Sequence, residues 1–271
     1  MIYITGDTHA DFSRFTKRQR CRLPFELTEK DIVIVCGDFG LLWERNDKTL
    51  KYNLDWMSRL PFKILWVSGN HENYDMLEDY QLEEWHGGRV KHILRDQIIY
   101  LERGQVFKIE GKKFFTFGGA SSHDIQGGVL DPHDPDYAQK RIAANKARLP
   151  YRIKGISWWE QELPTEEEMQ EGIRNLEKVN YKVDYVITHC LASSVQGKLE
   201  RYFGGDFVHF YKEDILTEYF DRLEEKLQYK YWYCGHYHLD MEVDEKHGVV
   251  YEGIGAMKRD CEKKSVNKIL L

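Results

Sequence analysis

The sequence is short of cysteine, of long apolar runs and of positive charge, and each shortage excludes something. Five cysteines stand at positions 21, 36, 190, 234 and 261, an odd number with no CxxC spacing. That disfavours a disulfide framework. Cys36, Cys190 and Cys234 each close an apolar run and read as buried strand thiols in a reducing compartment. No stretch approaches the ~18 apolar residues of a membrane-spanning helix. The N-terminal Met1-Ile2-Tyr3-Ile4 runs straight into a strand, without a basic region, an apolar signal core or a cleavage site. A cytoplasmic, soluble protein is the expectation. The formal net charge of −6 leaves no electrostatic footprint for tight duplex binding, so duplex nucleic acid is not an expected partner.

What is present is enough apolar residue, 42% of 271, to bury a sizeable core. No repeat, low-complexity tract or linker divides the chain, and a single domain over 1–271 is expected. Ile2–Thr5, Ile32–Cys36 and 62–67 read as strands, with a helix capped by Asp11 after the first. A second helix, from about Asp47 to Leu60, carries Leu50, Leu54, Met57 and Leu60 at helical spacing. This β-α-β-α-β order predicts parallel strands with right-handed crossovers. From about residue 88 the pattern turns to strands and a hairpin at Glu110-Gly111. Residues 121–164 are the least regular part, and a loop of that length is expected to form a rim or cap. Thr165 and Glu168 make a capping box for the next helix. Val183–Ile187 and Tyr231–Cys234 read as strands, 212–227 as a helix, and Met241–Val243 with Val249–Tyr251 as a closing hairpin.

Five of these strands end in polar residues of one kind: Asp7 and His9, Asp38, Asn70 and His71, His189, and His236 and His238. In a parallel α/β sheet the carboxyl ends of the strands share an edge, and ligands bind along it. Two carboxylates, an amide and imidazoles, with no thiolate, suit Mn²⁺, Fe²⁺ or Zn²⁺ better than Ca²⁺. A carboxylate such as Asp38 can bridge two cations set roughly 3.5–4 Å apart, and a hydroxide shared between them would be a nucleophile for a phosphate ester.

The blocks Gly6-Asp7-Thr8-His9, Gly37-Asp38, Gly69-Asn70-His71-Glu72, Thr188-His189 and Gly235-His236-Tyr237-His238 resemble, in order, the five motifs of the calcineurin-like metallophosphoesterases. The resemblance spans residues 6–238. It implies a β-sandwich of two mixed sheets flanked by helices, with a dinuclear metal site at the strand ends. It implies two divalent ions, Mn²⁺ first with Fe²⁺ or Zn²⁺ as alternatives. Asp7, His9 and His238 would hold one ion, Asp38 would bridge, and Asn70, His189 and His236 would hold the other. His71 would stabilise the transition state or protonate the leaving alkoxide. The implied activity is hydrolysis of a phosphomonoester or phosphodiester. A nuclease of the same chemistry is the alternative, and a non-catalytic interaction module the third reading.

Ala10, Leu41 and Cys190-Leu191 depart from the family pattern, which often has Gly, Asp and a proline-containing sequence there. Leu41 removes the carboxylate that would support His71, leaving Glu72, Glu44 and Asp75 as candidates. Gly40-Leu41-Leu42-Trp43 also lacks the Asp-Arg that marks serine/threonine protein phosphatases. Arg14, Arg152 and Arg201 are candidate phosphate clamps. His123-Asp124 and His133-Asp134 read as a solvated acidic loop, while Trp158-Trp159 and Tyr202-Phe203 either stack on a substrate or pack the chain.

Overall fold

The computed structural model describes residues 1–45, 47–202 and 212–258; Phe203 and Cys261 lie outside them. The first strands, β1 (Ile2–Thr5), β2 (Ile32–Val35) and β3 (Lys63–Trp66), run parallel in the predicted order. Their runs of β-branched and large apolar residues suit a sheet covered on both faces. Next come β4 (Leu82–Trp85), β5 (Gly88–Leu94) and β6 (Ile98–Leu101). Strand β6 lies parallel to β3, while β5 and β4 follow antiparallel. The hairpin of β7 (Gln105–Ile109) and β8 (Lys112–Phe117) then opens a second sheet. A short parallel pair follows, β9 (Val129–Leu130) with β10 (Arg152–Ile153). Strands β11 (Tyr185–Thr188) and β12 (Tyr231–Cys234) line up parallel beside β8. A hairpin of β13 (Met241–Glu242) and β14 (His247–Val249) completes that sheet. Finally β15 (Gly255–Ala256) returns to pair antiparallel with β1.

Two mixed sheets result, ordered β15-β1-β2-β3-β6-β5-β4 and β13-β14-β12-β11-β8-β7. Ile4, Ile34, Leu65 and Val67 of the first share a buried core with Phe107, Phe114, Ile187 and Tyr233 of the second. Helix Lys48–Met57 covers the outer face of the first sheet, where Met57 joins Phe15, Phe62 and Trp66. Helices Glu166–Lys178, Ser193–Tyr202 and Ile215–Glu224 cover the outer face of the second. The expected capping box of Thr165 and Glu168 is formed. Cys36, Cys190 and Cys234 are buried free thiols. Among the described residues no helix is long and apolar enough to cross a membrane.

Three segments differ from expectation. Asp11 does not cap a long helix: it accepts the Ser13 N–H at 2.9 Å, and only a 3-10 turn Ser13–Phe15 and one turn Lys17–Arg20 follow. That turn buries none of its residues and crowds three cations, so nothing extends it. The helix expected over 212–227 starts at Ile215, because Asp214 caps it with bonds from Leu216 and Thr217. Residues 121–164 are not shapeless. They contain helix Tyr137–Ala147 and the β9–β10 pair. The helix buries Ala144 alone, so it carries no apolar stripe for the sequence to display.

Candidate metal centre

The loops after β1, β2 and β3 in one sheet, and after β11 and β12 in the other, bring their polar residues together. Asp7, leaving β1, accepts the His236 N–H on Oδ1 at 3.0 Å and places Oδ2 3.2 Å from His238 Nε2. Asp38, leaving β2, accepts the His71 N–H on Oδ1 at 2.7 Å. Its Oδ2 lies 3.4 Å from His189 Nε2 and 3.8 Å from His9 Nε2. His9 Nε2 and His238 Nε2 are 2.9 Å apart. Two overlapping groups of ligand atoms result, Asp7/His9/His238 and Asp7/Asp38/His189, each closed within 4.8 Å. The His236 ring packs 5.0 Å from the His189 ring, centroid to centroid, and Asn70 Oδ1 stands 3.3 Å from His189 Nε2.

The backbone permits this crowding at a cost in strain. A Cβ on Gly69 would lie 2.0 Å from Asp38 Oδ1, and one on Gly235 would lie 2.2 Å from Asp7 Oδ1. The glycines that open these two blocks are therefore the space into which another block's carboxylate fits, while a Cβ on Gly37 would meet the His189 ring. His9, Asp38, His236 and His238 all have positive φ, at 45°, 49°, 68° and 52°. Non-glycine residues adopt that region when the surrounding structure forces it, as functional sites do. Ala10, at φ 64°, shares the strain that a glycine would avoid.

Charge and hydrogen bonds orient the donors. His189 is fully buried, and its Nδ1 donates to the Cys36 carbonyl at 2.6 Å. Nε2 is thereby turned on Asp38 and Asn70, the arrangement that prepares an imidazole to exchange its proton for a cation. Burial opposes a charge on His189, but Asp38 and Asp7 pull its pKa up to about 9. Burial likewise opposes ionisation of Asp38, yet the His189 charge and hydrogen bond hold its carboxyl well below the carboxylate range. Burial and His189 keep His236 well below its ordinary value. These donors are nitrogen and hard oxygen, aimed inward on one another, and they fit a divalent cation.

His71 sits beside this cluster, its ring 5.1 Å from that of His9. None of the three carboxylates proposed to support it does so by the contacts found. Glu72 is turned away, accepting the Phe39 N–H at 2.9 Å, and burial raises its pKa to about 8. Asp75 accepts from the Trp159 indole. Glu44 belongs to a turn in the exposed stretch Trp43–Arg45. The neighbour at His71 is Arg152, whose Nη2 lies 3.1 Å from His71 Nε2. Asp124 holds that arginine through Nε at 2.8 Å and through Nη2. Burial pushes the His71 pKa down to about 4; Asp38 opposes the shift and Arg152 adds to it. Asp124 is thus part of the site, contrary to the solvated-loop reading, whereas His133 and Asp134 do lie in an exposed turn.

The other two arginines are placed differently. Arg14 is committed to backbone: Nη1 donates to Thr5 Oγ1 at 2.8 Å and to the Gly6 and Tyr251 carbonyls, and Nη2 to the Asp7 carbonyl at 2.8 Å. It satisfies oxygens left open where β1 ends, so it clamps the Asp7 loop rather than presenting a free fork to phosphate. Arg201 is exposed in the last turn of helix Ser193–Tyr202. Trp159 packs, edge to face on Trp43, as the packing alternative expected. At the Cys190-Leu191 departure, the Leu191 N–H donates to Tyr237 at 3.1 Å, a bond that proline could not make. A cavity of about 690 Å³ opens beside Asp7 and His9, with Arg22, Phe25, Tyr251 and Ile254 in its wall.

The sequence profile of calcineurin-like phosphoesterases matches residues 1–240 of this chain. The chain belongs to the calcineurin-like phosphoesterase family. It is accordingly a hydrolase of phosphate esters on an α/β fold with mixed sheets. Membership also implies divalent metal ions, and the buried Asp/His group described above could bind them. No curated protein matches the chain significantly. Among solved structures it is similar to phosphopantetheinyl hydrolase (PptH) from Mycobacterium tuberculosis, at 13% identity and a TM-score of 0.45. That similarity covers 92% of this chain and 89% of the other.

Proposed function

We propose that this phosphoesterase uses two divalent ions, Mn²⁺ by preference, held as one dinuclear centre in a single domain. Asp7, His9 and His238 would hold one ion, Asn70, His189 and His236 the other, with Asp38 between them. The observation that carries the reading is the overlap of Asp7/His9/His238 with Asp7/Asp38/His189, whose ligand atoms converge, with His9 Nε2 2.9 Å from His238 Nε2. Bound ions supply Lewis-acid charge to the phosphoryl oxygens and acidify a water.

The chain's own residues do the rest. The strained loops hold the ligands in place before substrate arrives. Arg152, braced by Asp124, offers a guanidinium beside His71 for a phosphoryl oxygen. Burial keeps the His71 imidazole neutral at pH 7, so it acts as a positioned hydrogen-bond partner of the leaving oxygen. The cavity beside His9 receives the ester's substituent. Residues 121–164 form the rim, because Asp124 and Arg152 both come from that segment.

Purified protein supplied with Mn²⁺ should hydrolyse an aryl phosphomonoester or phosphodiester and lose that activity to a chelator. Absence of both hydrolyses in metal-loaded protein would count against an enzyme and favour the interaction-module reading. Cleavage of single-stranded DNA or RNA in preference to both aryl esters would move the substrate to nucleic acid.

A further inference from the structure

For Asn70 to serve as a ligand, its oxygen must face the metal side, and a carboxamide has nearly the same shape either way round. Its surroundings decide the matter. Asn70 Nδ2 lies 3.4 Å from Ser122 Oγ, and Asn70 Oδ1 lies toward His189. Ser122 is itself held by one carboxylate. Its backbone N–H donates to Glu162 Oε1 at 2.9 Å, and its hydroxyl donates to Glu162 Oε2 at 2.6 Å. A hydroxyl has one hydrogen to give. With that hydrogen directed at Glu162, Ser122 Oγ can only accept from Asn70, so the NH₂ group turns to Ser122 and the oxygen to the ligand cluster. Asn70, Ser122 and Glu162 are 2%, 5% and 4% exposed. Bulk water therefore does not compete for these bonds, and a mispaired partner would stay mispaired.

We propose that Glu162, acting through Ser122, is a positioning residue that sets the orientation of the Asn70 carboxamide and so completes the second metal-binding group. The inference rests on the ligand role proposed for Asn70. Neither Ser122 nor Glu162 belongs to the five strand-end blocks. They stand at the two ends of segment 121–164, so the segment reaches the metal centre through its own attachment points.

Three substitutions separate this relay from a merely structural role. Ser122→Ala removes the acceptor. Glu162→Gln reverses the relay: the Ser122 N–H still requires an oxygen, which leaves the glutamine NH₂ facing Oγ. The hydroxyl then accepts from the glutamine and passes its hydrogen to Asn70, favouring the inverted carboxamide. Ser122→Thr keeps the hydroxyl, and its extra methyl has space because Ser122 borders a cavity of about 300 Å³.

The measurement is calorimetric titration of chelator-stripped full-length protein with Mn²⁺, with metal-free melting temperatures as the folding check. Ser122→Ala and Glu162→Gln should bind one of two ions about 10–100-fold more weakly than wild type, while Ser122→Thr binds like wild type. Two results would overturn the relay: both disruptive variants titrating like wild type, or Ser122→Thr falling as far as Ser122→Ala. Wild type that takes up no Mn²⁺ would instead overturn the metal reading itself, before any variant is compared.

Discussion

Two clusters of histidine and carboxylate stand out among the described residues, and they are built differently. At the start of β14, His247 places Nδ1 2.7 Å from Asp244 Oδ1 and Nε2 2.8 Å from Glu224 Oε1, with the Tyr229 hydroxyl 2.9 Å from Nε2. Each ring nitrogen has an oxygen of its own, and the cluster is complete without a cation. At the strand ends, by contrast, His9 and His238 point their Nε2 atoms at each other, and His189 aims its Nε2 at a carboxylate and a carboxamide oxygen. Both clusters read alike as composition. The difference lies in where the ring nitrogens point: a structural histidine divides its nitrogens between partners, whereas a ligand histidine turns one nitrogen inward.

The largest effect that should separate the clusters comes from Asp38. Asp38→Asn should abolish turnover and weaken both ions, because its carboxylate faces both ligand groups. His71→Ala should keep the metal content and lose about 10²–10⁴-fold in turnover. Metal analysis beside kinetics tests the pair, and loss of metal from His71→Ala would show that His71 belongs among the ligands. His247→Leu should do the opposite of Asp38→Asn. It should cost about 2 kcal/mol of stability by taking one hydrogen-bond partner from each of two carboxylates, with metal content unchanged. Denaturant unfolding and metal analysis check it.

Alkali should weaken the strand-end cluster alone, whereas acid weakens both, since, against burial, Asp38 is held low by His189 as Asp244 is by its own partners. In metal-free protein the His189 pKa is raised above its ordinary 6.5, to about 9. Its stabilising contribution is therefore full below pH 6.5 and disappears as pH rises through 9. Burial opposes ionisation of Asp244, but Lys198 and the Lys246 N–H hold its carboxyl below the ordinary 3.8. That contribution is full above pH 3.8 and disappears as pH falls below it. Melting temperatures from pH 3 to pH 9 should fall at both ends. Added Mn²⁺, taking the place of the His189 proton, should remove only the alkaline fall. The smallest effect concerns backbone. Ala10→Gly should relieve the left-handed strain at φ 64° and change stability by about 1 kcal/mol or less in the favourable direction, read from the denaturant midpoint.

The blocks around Asp7, Asp38, Asn70, His189 and His236 were legible because each follows a short apolar strand, and a parallel sheet aligns such ends whatever their separation in sequence. The parallel strands and the helices near 47–60, after Thr165 and near 212–227 were legible through periodicity, whereas helix Ser193–Tyr202 was not expected. Ser122, Asp124 and Glu162 were not. Their partners lie 28–52 positions away, through Arg152, Glu162 and Asn70, in a stretch without regular alternation. Leu41 was a visible departure, and it is buried in the core against the first sheet. What stands at His71 instead, Arg152 with Asp124, comes from that irregular stretch and has no sequence pattern of its own. Helix Tyr137–Ala147 was hidden because it rests on almost nothing.

The bond from the His236 backbone to Asp7 joins a loop of the second sheet to a loop of the first. Sliding one layer of the sandwich over the other would misalign the ligands before it exposed much core. Such an edge is a gauge of assembly: only a chain whose two layers have closed in correct register presents the full set of donors, so chemistry is withheld from partly folded molecules.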